Sequence, residues 1–99
     1  MIALLVTILV YAASGEPLKH AFVQCAGYQM WGELPNGTPG WIDEDGIAQT
    51  ETRGATIWEV PRPEEMSCLV WKDGYLSSTR RFAVDEKHTR FTVTLQKKD

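Results

Sequence analysis

Apolar and polar residues alternate with period two along several short stretches of the chain, most plainly at Phe82/Val84 and at Phe91/Val93/Leu95. No window carries the 3.6-residue recurrence with caps that a helix requires, so the pattern predicts strands throughout. The N-terminal run from Ile2 to Val10 is apolar and rich in β-branched residues (Val6, Thr7, Ile8, Val10), which favours a first strand over about Leu4 to Tyr11. A turn at Ser14-Gly15-Glu16-Pro17 leads to a second strand, Ala21 to Cys25. From Tyr28 to Trp41 the composition changes to Gly, Pro, Asn and aromatics, with Pro35-Asn36-Gly37 marking a tight turn, and we read residues 28–41 as an inserted loop or small hairpin. Asp43-Glu44-Asp45-Gly46 is a further turn. Strand-length runs follow at Ile47 to Thr52 and Ala55 to Val60, then, past Pro61-Arg62-Pro63, at Ser67 to Trp71, Leu76 to Val84 and Thr89 to Gln96. Many short strands divided by turn clusters at this spacing predict an all-β sandwich or barrel.

A chain of 99 residues is long enough for one such domain and too short for two, so residues 1–99 are expected to form a single domain. A hydrophobic fraction of 43% with 23% charged residues is that of a globular protein. The formal net charge of −3, with Lys and Arg scattered, offers no field for a phosphate backbone and argues against a nucleic-acid partner. The N-terminal run, followed by Ala12, Ala13, Ser14 and Gly15, has the outline of a secretory signal. No Lys or Arg precedes it, however, and it is too short to span a bilayer, so a retained strand is the preferred reading. Two cysteines, Cys25 and Cys68, can make one bridge or none, and their number and spacing do not fit a four-cysteine zinc site.

The order of the turns carries a family resemblance. Gly15-Glu16-Pro17-Leu18 before Ala21-Phe22-Val23, then Asp43-Glu44-Asp45-Gly46, then Lys72-Asp73-Gly74-Tyr75, and finally Phe91-Thr92-Val93-Thr94-Leu95 follow one another as in prealbumin-like domains. The chain thus resembles the carboxypeptidase-regulatory-like and Cna-B-like group from about Val6 to Lys97. The resemblance implies a seven-stranded Ig-like (prealbumin-like) sandwich with the insertion at 28–41, and a role as a spacer, docking module or assembly subunit. The intramolecular Lys–Asn or Lys–Asp crosslink of some Cna-B-like domains is not expected, because Leu4 to Tyr11 lacks Lys and Thr89 to Gln96 lacks Asn and Asp. The matched alternation assigns Val6, Ile8, Val10, Ala21, Val23, Cys25, Cys68, Val70, Phe82, Val84, Phe91, Val93 and Leu95 to the core, joined by Trp58 and Val60. It leaves Leu5, Leu9, Tyr11, Phe22, Leu69 and Trp71 outward, a face more apolar than water requires. The prealbumin-like order also implies that Cys25 and Cys68 lie on neighbouring strands of one sheet. With secretion disfavoured, free buried thiols are the expected state and a disulfide the alternative.

Candidate chemistry is sparse. His20 and His88, the only imidazoles, have no metal-ligand spacing and read as strand-end residues. Asp43, Asp45 and Gly46 open like a calcium loop but lack its later ligands, so a β-turn is preferred. No serine lies in a nucleophile elbow, and neither a catalytic grouping nor a metal or cofactor is expected. Tyr28, Met30, Trp31 and Trp41 gather in the insertion, and Tyr28, Trp31 and Trp41 could stack on sugar rings or cap one end of the sandwich. Asn36-Gly37-Thr38, a glycosylation sequon, is followed by Pro39 and adds nothing. Leu5, Leu9, Tyr11 and Trp71 are the expected interface with a protein partner or a second copy, on an edge or near-edge first strand. The function expected from the sequence is a non-catalytic interaction module docking on a larger assembly, at a cell surface or on the shell or tail of a virus particle. A carbohydrate-binding module is the alternative, and no membrane span is expected.

Overall fold

A computed structural model describes residues 4–25, 27–33, 39–43 and 47–99, with side chains described in all of these except 29–33 and 39–43. The described residues are all-β, without a helix. The strands are β1 (Leu4–Ala12), β2 (Phe22–Cys25), β3 (Gln29–Glu33), β4 (Pro39–Asp43), β5 (Ile47–Gln49), β6 (Ala55–Val60), β7 (Glu64–Trp71), β8 (Ser78–Val84) and β9 (Arg90–Leu95). Seven of them match the strands anticipated from the alternation. The other two, β3 and β4, make a hairpin of the inserted stretch.

Two sheets face each other, one of order β4-β3-β6-β1-β9 and one of order β5-β2-β7-β8. Every neighbouring pair is antiparallel except β1 and β9, which run parallel with Val10 opposite Val93. Alternation fixes which residues meet between the sheets: Val6, Ile8, Val10, Trp58, Val60, Val93 and Leu95 from the first pack against Val23, Cys25, Met66, Cys68, Val70, Phe82 and Val84 from the second. Phe91, expected in the core, is only half-buried. It lies on an edge strand and stacks on Phe82 with ring centroids 4.6 Å apart, closing the side where β8 and β9 have no further neighbour.

Two polar devices hold the strand connections. Thr50 is buried, and its hydroxyl donates to the Leu18 carbonyl at 2.6 Å while accepting from the Ala21 N–H at 3.0 Å, which satisfies the backbone entering β2. Trp58, fully buried, gives its indole N–H to the Thr56 hydroxyl at 2.8 Å. Gly54 stands at φ +72° with its α-carbon against the Val10 carbonyl, and a β-carbon there would lie 2.5 Å from that oxygen.

Two expectations are corrected. Cys25 and Cys68, expected as free thiols, are register partners across β2 and β7 and form a disulfide of 2.05 Å. Both side chains point into the core. Leu9, expected to face a partner, is 7% exposed and so is covered by its own chain, whereas Leu5 is 51% exposed. The first strand, expected at or near an edge, is the near-edge one: β6 lies on one side of it and the edge strand β9 on the other.

Candidate functional site

A hydrogen-bonded pair of titratable side chains lies beside a groove where β8 crosses to β9. Asp85 and His88 close this connection with mutual backbone hydrogen bonds, Asp85 N to His88 O at 3.3 Å and His88 N to Asp85 O at 3.2 Å. Glu86 and Lys87 between them keep negative φ, so this is not the positive-φ hairpin turn that Asn-Gly would give. Aspartate at the first position suits an ordinary turn because its carboxylate can collect the N–H groups that follow. Here Asp85 Oδ1 accepts from the Lys87 and His88 N–H groups, each at 2.8 Å.

The same carboxylate grips the imidazole, with His88 Nδ1 2.8 Å from Oδ1 and 3.0 Å from Oδ2. Because an ionised carboxylate only accepts, Nδ1 must carry the proton, and in the neutral ring Nε2 is then left as a free acceptor. The hydrogen bond from His88, followed by that from the Lys87 backbone, holds the Asp85 carboxyl below its ordinary value. The pair is open to water, with His88 66% and Asp85 51% exposed.

Asp85, Glu86 and Lys87 form one wall of an open groove of about 400 Å3 whose other wall is Pro63. Pro63 belongs to the turn entering β7, and its neighbours extend the polar rim. Glu64 lies 3.9 Å from the Arg62 guanidinium. Partial burial first, then the charge and hydrogen bond of Glu64, raise the Tyr28 phenol above its ordinary value. Glu64 is paired with Val84 across β7 and β8, which brings this second cluster next to Asp85. The end of the sandwich therefore presents a base (His88 Nε2), a cation (Lys87), an apolar wall (Pro63) and a phenol (Tyr28).

The residues singled out from the sequence are not gathered into one site. Tyr28 is half-buried and packs on the core. Trp31 and Trp41 are register partners across β3 and β4, and their side chains lie outside the described residues. So do Asp45, Gly46, Asn36, Gly37 and Thr38, together with the Asp43 side chain. Tyr11 is half-buried at the end of β1. Trp71 stacks on Phe22, its register partner, with centroids 5.3 Å apart on the outer face of the second sheet. His20 occupies a turn at φ +60°, away from His88. Among the described residues, no three of His, Cys, Asp and Glu stand close enough together to hold a metal ion. No described helix is long and apolar enough to cross a membrane. The Asp85–His88 pair escaped the sequence reading, although Asp-x-x-His at a strand break is the spacing that brings two such side chains together across a turn.

No family model matches the sequence, and no curated protein matches it. Solved structures do match, and those reported are dioxygenases. Wild-type catechol 1,2-dioxygenase of Acinetobacter radioresistens is 15% identical with a TM-score of 0.64, the match covering 98% of this chain and 52% of that one. For 3-chlorocatechol 1,2-dioxygenase of Rhodococcus opacus 1CP the values are 17%, 0.60, 97% and 60%. For hydroxyquinol 1,2-dioxygenase of Pseudomonas putida DLL-E4 they are 10%, 0.61, 98% and 57%. The chain thus spans little more than half the length of these proteins, and at such identity the likeness establishes the fold alone. The expectation of a docking module for a cell surface or virus particle, or of a sugar-binding module, is corrected to this extent: the neighbours that share the sandwich are catechol, chlorocatechol and hydroxyquinol dioxygenases and none of them is such a module.

Proposed function

We propose that this chain is an enzyme-type β-sandwich that binds a small aromatic diol in the groove at Asp85–Lys87 and removes a proton from it. The observation that carries this reading is the grip of Asp85 on His88 Nδ1, which leaves Nε2 as a proton acceptor on the turn whose Asp85, Glu86 and Lys87 line the groove. The hydroxyl proton passes to Nε2, the resulting imidazolium is stabilised by the Asp85 carboxylate, and the phenolate is attracted to the Lys87 ammonium. Pro63 supplies an apolar surface for the ring. The diol is suggested by the structural neighbours, whose names specify catechol, chlorocatechol and hydroxyquinol. The order of the turn motifs supports a prealbumin-like sandwich as the finer description, and the parallel pairing of the first and last strands is compatible with it.

The experiment is a titration of the protein with catechol and with hydroxyquinol, followed by the imidazole resonances of His20 and His88. Saturable movement of His88 and not His20 is expected, together with movement of the Glu86 and Lys87 amides that is lost in His88→Gln and weakened in Lys87→Met. Unmoved His88 resonances, or equal binding by His88→Gln, would overturn the reading.

A further inference from the structure

At the opposite end of β8 and β9 lies a second, smaller cavity of about 230 Å3, bounded by Ala12, Ala13, Ser14, Glu16, Tyr75 and Lys97. Its two walls are built rather than incidental. One is the turn after β1, closed by Ala12 N to Glu16 O at 2.8 Å and Gly15 N to Ala12 O at 2.9 Å, with the Ser14 hydroxyl donating to Glu16 Oε1 at 2.9 Å. The other is the segment before β8, laddered to the end of β9 by Leu76 N to Gln96 O at 2.8 Å and Lys98 N to Gly74 O at 2.9 Å, which sets Tyr75 opposite Lys97.

The walls carry opposite charges that do not reach each other: no ion pair within 4.0 Å joins Glu16 and Lys97. The hydrogen bond from Ser14 takes one lone pair of the Glu16 carboxylate and leaves Oε2 to accept from a ligand. Tyr75, half-buried against the core, adds a hydroxyl that can donate or accept. A ligand that fits this arrangement carries both an ammonium for Glu16 and a carboxylate for Lys97 and is small enough for the cavity.

We propose that this cavity is a binding site for a free α-amino acid, held as the zwitterion between Glu16 and Lys97 with Tyr75 at its side. Both charges are solvated, so the site is weak and its selectivity lies in requiring both ligand charges at once.

The test uses the full chain and amide resonances, with alanine, N-acetylalanine and alaninamide as probes. Alanine should move the amides of Gly15 and Gly74 saturably. N-acetylalanine, lacking the ammonium, and alaninamide, lacking the carboxylate, should each bind about fivefold more weakly or worse. Glu16→Gln should abolish the preference for alanine over N-acetylalanine, and Lys97→Met the preference over alaninamide. The proposal is overturned if alanine produces no saturable shift, or if the three probes bind alike. Because the probe comparison is made on the unaltered protein, it decides the matter even if a variant fails to fold. Binding of alanine here with no response of His88 to diols would separate this site from the reading at the other end.

Discussion

Cys25 lies directly opposite Cys68 across β2 and β7, and their bonded sulfurs are buried between the two sheets. The bond ties positions 43 residues apart. A closed loop of that length restricts the unfolded chain enough to contribute about 4 kcal/mol in the loop-entropy account. Reduction under mild denaturant should therefore lower the melting temperature by many degrees, and a Cys25→Ala/Cys68→Ala variant should melt at the reduced value whether or not reductant is present. Equal stability of the oxidised and reduced forms would remove the disulfide from the account of what holds the sheets.

Leu5 and Leu9, four positions apart on one face of β1, should respond oppositely to charge. Leu5→Lys leaves an exposed position exposed and is expected to stay within about 0.5 kcal/mol of the original. Leu9→Lys forces an ammonium into a covered position and should destabilise by about 3 kcal/mol or more. Urea titration of the two variants checks both values.

Thr50→Val keeps the shape of a buried side chain while removing the hydroxyl that serves both Leu18 and Ala21. A donor and an acceptor are then stranded, and a loss of about 1–3 kcal/mol is expected from chemical denaturation. Thr50→Ser, which retains the hydroxyl, should recover part of that loss.

Acid sensitivity should trace to Asp85. Its folded-state carboxyl is held below the ordinary value of 3.8, first by the His88 hydrogen bond. A depressed carboxyl contributes stability that is complete above the unfolded value and is lost as pH falls through the folded one. The melting temperature should accordingly fall on acidification below about pH 4, whereas Asp85→Asn should melt lower than the original at pH 7, show a flatter acid limb and converge with it in acid. Identical acid limbs for the two proteins would refute the assignment.

Gly54→Ala should cost at least about 1 kcal/mol, because the residue sits at φ +72° and its new β-carbon would meet the Val10 carbonyl. Gly15→Ala, also at positive φ but with nothing within 4 Å, provides the comparison in which only backbone strain acts.

Much of the architecture was legible because alternation survives wherever one strand face is buried. Val6, Ile8 and Val10, or Val93 and Leu95, announce their side without knowledge of any partner strand. What failed depended on neighbours that local pattern does not encode. Phe91 keeps the inward phase but sits on an edge, where no further strand covers it. Leu9 has the outward phase, yet the chain covers that position. The hairpin of β3 and β4 was left open against a loop, because Gly32, Pro39 and Gly40 are poor strand formers that an outlying strand pair tolerates. The Asp85–His88 pair was hidden differently, since a turn composition rich in charge reads as a solvated break until the fold brings the carboxylate back onto the imidazole.

The parallel alignment of β1 with β9 bears on how the chain is made. Synthesis delivers β1 before the other described strands and β9 after them, so one side of the first strand has nothing to pair with until Arg90–Leu95 has left the ribosome. Through that interval Ile8 and Val10 can be sheltered only by provisional contacts. Folding should thus be a late, concerted event rather than a progressive one, and nascent chains truncated before Arg90 should remain protease-sensitive and in need of a holding chaperone.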